Sequence, residues 1–194
     1  EKLVRAGIQK LVDLGAEVRE VKIPTLKYAE WAELVTSLSE ASAIHHSDML
    51  TRPDDFGNDI RMLFELGEIP SAVDYLQAQQ VRRQLKHDFK KAFEQVDILA
   101  MPTLPILPND IGDDFADING KKVDLIDNII RFMGPGNLTG LPALSVPCGF
   151  SQGLPVGMQL MGPAFGEAKI LNAGYAFEQT NPLGNRKPDL LINA

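Results

Sequence analysis

The sequence predicts an α/β fold, a mixed β-sheet flanked by helices. Three observations carry that expectation. Apolar residues at helical spacing alternate with short apolar runs of strand length. The run Val96 to Met101, stopped by Pro102, reads as a buried and parallel strand. Two further runs, Ala143 to Cys148 and Val156 to Met161, are joined by only seven residues. That is too short for a parallel crossover, so this pair reads as antiparallel and the sheet as mixed.

In chain order, residues 2–14 read as an amphipathic helix on Leu3, Ile8, Leu11 and Leu14, ended by Gly15. Residues 17–23 read as a strand stopped by Pro24. Residues 26–50 read as a long helix carrying Trp31, Leu34, Leu38 and Ile44, broken at Pro53. A short helix follows at 57–66 with Gly67 as its stop. Ser71-Ala-Val-Asp74 is an acidic capping box. It opens a helix to about Gln95 whose inward stripe is Ala78, Val81, Leu85, Phe89, Ala92 and Val96. Tyr28, Trp31 and Tyr75 are expected mostly in the core.

Composition then shifts: residues 102–194 hold ten of the 13 prolines and twelve of the 16 glycines. The chain therefore divides into a helix-rich part, 1–95, and a Pro/Gly-rich part with strands, 96–194. Residues 103–124 read as a loop and 124–133 as a short helix. The last helix runs Gly166 to Gln179 with Ile170, Ala173 and Phe177 inward, and 181–194 is an extended surface tail. Four strands among five or six helices make a lopsided sheet that fits better inside a larger one.

Composition excludes several functions. Net charge is −7, with 26 acidic against 19 basic residues, which argues against direct nucleic-acid binding. Arg82, Arg83, Lys86, Lys90 and Lys91 are interleaved with Asp88 and Glu94 as a solvated helix face. The single cysteine, Cys148, permits no internal disulfide and suits a reducing cytoplasm. No apolar run approaches the roughly 18 residues of a membrane span. The chain opens without Met, in a helix that no residue caps, so it is expected to be a piece of a longer protein.

Short motifs give no chemistry. Gly149-Phe-Ser-Gln-Gly153 has the spacing of a nucleophile elbow, but a strand follows it, and no histidine lies beyond His87. It reads as a hairpin link. Gly134-Pro-Gly-Asn-Leu-Thr-Gly140 has three residues where a dinucleotide fingerprint needs two. Placing Gly120 at the sixth position of a calcium loop puts Phe115 first and Ile126 twelfth, where acids belong. His45 and His46 are adjacent on a helix and point about 100° apart, so they cannot share a metal. Cys148 reads as a small buried residue. No cofactor and no metal are expected.

Three segments do resemble a known family. Val96-Asp-Ile-Leu-Ala-Met-Pro-Thr103, Asn137-Leu-Thr-Gly-Leu-Pro-Ala-Leu-Ser-Val-Pro-Cys-Gly149 and Gly153-Leu-Pro-Val-Gly-Met-Gln-Leu160 look like the C-terminal portion of the amidase signature fold. The resemblance runs from Leu14 to Gln179. It implies amide hydrolysis through a lysine, a bridging serine on a cis peptide and a nucleophilic serine. Burial would keep the lysine neutral, and backbone N–H groups would hold the oxyanion.

None of those catalytic residues can be placed here. The serines are Ser37, Ser39, Ser42, Ser47, Ser71, Ser145 and Ser151, and no two are adjacent. The resemblance therefore implies a C-terminal portion that is inactive alone. Its partners would be the N-terminal half of the same protein and a small-molecule amide. The expected substrate-facing residues are Thr103, Leu104, Arg131, Phe132, Asn137 and Thr139.

Two branches of the family compete, the stand-alone amidase and the A-subunit of the glutamyl-tRNA(Gln) amidotransferase. The second implies an acidic residue a few positions before Asn137. Here stand Ile129, Ile130, Arg131 and Phe132, with Asp127 further back, which favours the amidase. The contrasting class is a non-catalytic scaffold or binding module.

Overall fold

The computed structural model describes residues 1–180 and Leu183; of Asp127 only the backbone is described. The tail expected at 181–194 lies outside the described residues. The chain forms two compact units, one of residues 1–21, 93–133 and 141 onward, the other of residues 22–92 and 134–140.

The first unit is built on an antiparallel sheet. Strands β1 (Leu99–Pro102), β5 (Leu154–Met161) and β4 (Ala143–Ser151) lie in the order β1-β5-β4. The β4–β5 hairpin turns on Gln152 and Gly153, both with positive φ (53° and 82°). That pair is the two-residue turn whose twist matches the strands. β4 carries an irregularity between Pro147 and Gly149, where a residue without an N–H costs the ladder nothing.

Alternation decides the faces. Leu144, Val146 and Cys148 of β4 and Met158 and Leu160 of β5 join Val4 and Leu11 of α1 (Lys2–Asp13) and Ile170 and Phe177 of α6 (Glu167–Thr180) in the core. α1 stops at Gly15 (φ 101°), with Gly15 N–H donating to the Val12 carbonyl (2.8 Å) and Ala16 N–H to Leu11 (3.0 Å), the paired bonds of a Schellman cap.

Three expectations are corrected in this unit. Residues 17–23 form no strand: Val18 is 66% exposed, and no described segment pairs with it. A strand exists only through its ladder, whatever its propensity. β1 is antiparallel to β5, with Leu99 opposite Met161, so both sheets among the described residues are antiparallel. Apolar burial makes a strand legible but not its direction. The expected loop 103–124 contains a hairpin, β2 (Phe115–Ile118) and β3 (Lys121–Asp124), turning on Asn119 (φ 56°) and Gly120 (φ 77°).

The second unit packs helices α2 (Ala29–Thr51), α3 (Asn58–Gly67) and α4 (Ala72–Phe93). The α4 capping box forms as expected: Ser71 N–H donates to Asp74 Oδ2 (2.8 Å) and Asp74 N–H to Ser71 Oγ (3.2 Å). Ala78, Leu85, Phe89 and Ala92 are buried as predicted. The α2 stripe is corrected. Ala32, Val35, Thr36 and Ser42 face inward, while Trp31 (41% exposed), Tyr28 and Ile44 (74%) face outward. Gly67 does not stop a helix by its φ. It is the last residue of α3 and lies so close to α2 that a Cβ would collide with the Leu38 carbonyl and Ser42 Oγ.

Helix α5 (Leu125–Thr139) is longer than expected, because it continues through Gly134-Pro135-Gly136. Pro135 supplies no N–H to the Arg131 carbonyl one turn earlier. The neighbouring Phe132 carbonyl accepts from Gln159 Nε2 at 3.0 Å.

Candidate functional site

Thr103 follows β1 directly. Its N–H donates to the Gly157 carbonyl (3.1 Å), which extends the β1–β5 ladder by one bond. Its hydroxyl then lies 2.6 Å from the Ser145 hydroxyl of β4. The bond passes over Gly157, where a Cβ would sit 2.7 Å from both hydroxyl oxygens. Thr103 and Ser145 thus meet across the central strand only because position 157 carries no side chain. Two residues on, Gln159 is 5% exposed and spends its amide on Phe132.

The six expected residues fall differently. Thr103, Leu104, Arg131 and Phe132 belong to the first unit. Of these, Thr103 enters the hydroxyl pair, Leu104 is half-buried beyond it, Arg131 is exposed and Phe132 offers its carbonyl to Gln159. Asn137 and Thr139 belong to the second unit. Asn137 is exposed. Thr139 is buried, and its hydroxyl donates to the Pro135 carbonyl (2.6 Å) of its own helix, a common use of a helical threonine.

Sequence reasoning missed Ser145, Gly157 and Gln159. The signal was present: each interrupts an apolar strand run, and a polar residue or glycine there needs a local reason. Along the outer side of β4 a groove of about 530 Å³ runs beside α6, bordered by Leu144, Ser145, Val146, Leu171 and Tyr175 among others.

Other titratable groups are committed to structure. In the second unit Asp88 is 8% exposed and accepts from the Thr25 hydroxyl and N–H and from Gln84. The Thr25 hydroxyl is the main reason its carboxyl is held below the usual range. Burial pushes the Glu33 carboxyl up, against the Ser37 hydroxyl and the Arg82 charge. Arg82 Nε donates to the Leu138 carbonyl (2.6 Å) in the last turn of α5, where a cation suits the helix dipole. His45 stacks on Phe64 (4.9 Å), and His46 faces Glu68 (3.1 Å). Cys148 donates its S–H to the Val156 carbonyl (3.3 Å), and burial raises its pKa.

No serine–lysine–serine relay can be assembled from these contacts. Ser37 bonds Glu33, Ser42 the Phe64 carbonyl, Ser71 Asp74 and Ser145 Thr103. Among the described residues, no group of three or more His, Cys, Asp or Glu could hold a metal. No described helix is long and apolar enough to cross a membrane.

Comparison with known proteins agrees with the architecture. The amidase family model matches residues 1–171, so the chain belongs to the amidase family. It is 37% identical to the A-subunit of the glutamyl-tRNA(Gln) amidotransferase of Moorella thermoacetica, covering 97% of this chain and 42% of that protein. It is 36% identical to an amidase of Pseudomonas putida, covering 98% and 41%. A crystal structure of an amidase superposes with a TM-score of 0.83 at 28% identity, over 91% of this chain and 42% of that one. The amidotransferase A-subunit of Thermotoga maritima superposes at 0.66 and 31%, over 94% and 40%. The chain thus spans about two fifths of the relatives it matches.

Proposed function

We propose that this chain is the C-terminal portion of an amide hydrolase of the amidase branch, working by the Ser-cis-Ser-Lys mechanism that its family resemblance implies. The observation that carries the reading is coverage: nearly the whole chain matches amidases, yet only about two fifths of each. The lysine and both serines would lie in the N-terminal remainder, and this portion alone would be inactive. Its role is scaffold and substrate-pocket wall, with Thr103, Leu104, Arg131, Phe132, Asn137 and Thr139 as the expected wall residues and a small amide as substrate. A cytoplasmic location suits the lone, unpaired cysteine.

Three observations favour the amidase branch. The Pseudomonas putida amidase aligns over 192 residues, against 211 for the Moorella thermoacetica protein, about twenty positions more for nearly the same share of this chain. The amidase superposes more closely, 0.83 against 0.66. Ile129, Ile130, Arg131 and Phe132 stand in the stretch before Asn137 where resemblance to the amidotransferase branch implies an acidic residue for the amine of glutamine. The second reading, an amidotransferase A-subunit, draws on the 37% identity to the Moorella thermoacetica protein.

The test is the intact mass of the native protein. A mass well above 21.3 kDa is expected, with the serines and lysine in the added segment. A native mass of 21.3 kDa with no separate partner supplying them would remove the hydrolase reading and leave a binding or scaffold module.

A further inference from the structure

We propose that the Thr103–Ser145 hydroxyl pair, seated over Gly157, binds the carbonyl oxygen of a small amide. The choice of ligand rests on the amide-hydrolase reading above, and the pair would act there as a substrate-positioning element.

The first support is convergence. Each of the three segments that carry the family resemblance contributes one residue to this point. Thr103 ends the first, Ser145 lies in the second and Gly157 in the third. They come from three different strands or strand ends, and the sheet brings them within hydrogen-bond reach (2.6 Å between the hydroxyls).

The second support is the glycine. A strand interior disfavours glycine, which loses backbone entropy and packs nothing. Gly157 has no positive φ to justify it. What it does is leave room, since a Cβ there would stand 2.7 Å from both oxygens. Position 157 is thus kept empty for the benefit of the two hydroxyls.

The third support is hydrogen-bond arithmetic. Two hydroxyls hold two protons, and one is spent between them. Either oxygen can be the inner donor, so the second O–H can be offered from Thr103 or from Ser145. Ser145 is exposed among the described residues, so nothing in this portion of the protein covers the pair. The pair is neutral and combines a donor with spare lone pairs. That complements an uncharged amide, which presents a carbonyl oxygen and N–H groups, better than it complements an anion.

The test uses the full-length protein, with benzamide as a probe of binding and a panel of primary amides as substrates. Compared are the parent, Ser145→Ala, Thr103→Val and the hydroxyl-restoring Ser145→Thr. Loss of one neutral hydrogen bond corresponds to about a five- to tenfold effect. The benzamide dissociation constant and KM are expected to rise by that factor in Ser145→Ala and Thr103→Val, with kcat little changed. Ser145→Thr should recover most of the loss. A pair that only ties strands together would lower Tm and leave both constants unchanged, and that result overturns the proposal. So does a parent protein that does not bind benzamide. If the parent binds benzamide through the pair but hydrolyses no amide, the hydrolase reading fails and the binding site stands. Should Ser145→Ala not fold, Thr103→Val carries the same comparison.

Discussion

The side-chain amide of Gln159 donates to the backbone carbonyl of Phe132 at 3.0 Å, from the middle of β5 to the turn of α5 that precedes Pro135. Gln159 is 5% exposed, so its amide would be left dry and unpaired if the bond were lost. Replacing Gln159 with Leu is expected to cost about 1 kcal/mol, the net worth of a typical hydrogen bond. Urea unfolding at fixed m-value measures it.

Asp88 gives a pH-dependent prediction. Its carboxyl is held below the usual range, first by the Thr25 hydroxyl. A carboxyl with a lowered folded pKa contributes stability that is present above its unfolded value and lost as pH falls through the folded one. Asp88→Asn should therefore destabilise the protein by about 1–3 kcal/mol at neutral pH, as expected for hydrogen bonds to a charged group. The difference from the parent should shrink below about pH 4, near the reference carboxyl value. A difference that stays constant on further acidification would show that charge is not involved.

Glu33 carries the opposite sign. Burial raises its pKa, so its favourable contribution is present below the unfolded value and lost as pH rises through the folded one. Glu33→Gln should raise Tm at about pH 7 and leave it unchanged near pH 4, on either side of the carboxyl range.

Gly67→Ala tests the approach of α3 to α2. The added methyl meets the Leu38 carbonyl and Ser42 Oγ, and neither the backbone nor the bonded hydroxyl can yield cheaply. A loss of about 2–4 kcal/mol is expected from overpacking and a broken buried bond. Gly120→Ala, with nothing within 4 Å but a φ of 77°, should cost only the smaller strain of a positive φ, about 1 kcal/mol.

Cys148 should resist thiol reagents in the folded protein. Its sulfur is buried, bonded to the Val156 carbonyl and held protonated by desolvation. Labelling at about pH 8 should be slow and should accelerate sharply in denaturant. Fast labelling of the native protein would contradict the placement of β4.

Local chemistry was the most legible part of this sequence. Ser71 and Asp74 cap α4 because their side chains reach each other's backbone within four residues. Gly15 and the Gln152-Gly153 turn follow from positive φ. The Asn119-Gly120 pair carries the same signal, and a hairpin turn between short strands is its stronger meaning than a defective calcium loop. Tertiary context overrode the rest. Residues 17–23 have strand composition but no partner strand among the described residues, and Trp31 and Ile44 have helical spacing but lie outside the packed face of α2. Pro135 continues a helix that sequence rules would end. For the proposed site, Thr103 was expected from family resemblance. Ser145 and Gly157 were not, because their meaning depends on a register between strands that no spacing in one chain reveals.

The most direct test of the central claim is ammonia release from a panel of primary amides, assayed side by side with residues 1–194 alone and with the full-length gene product. Release by the full-length protein and none by residues 1–194 is the expected result. Release by residues 1–194 alone would contradict the proposal, because it would place the nucleophile in this portion, where the contacts given above for the described residues form no serine–lysine–serine relay.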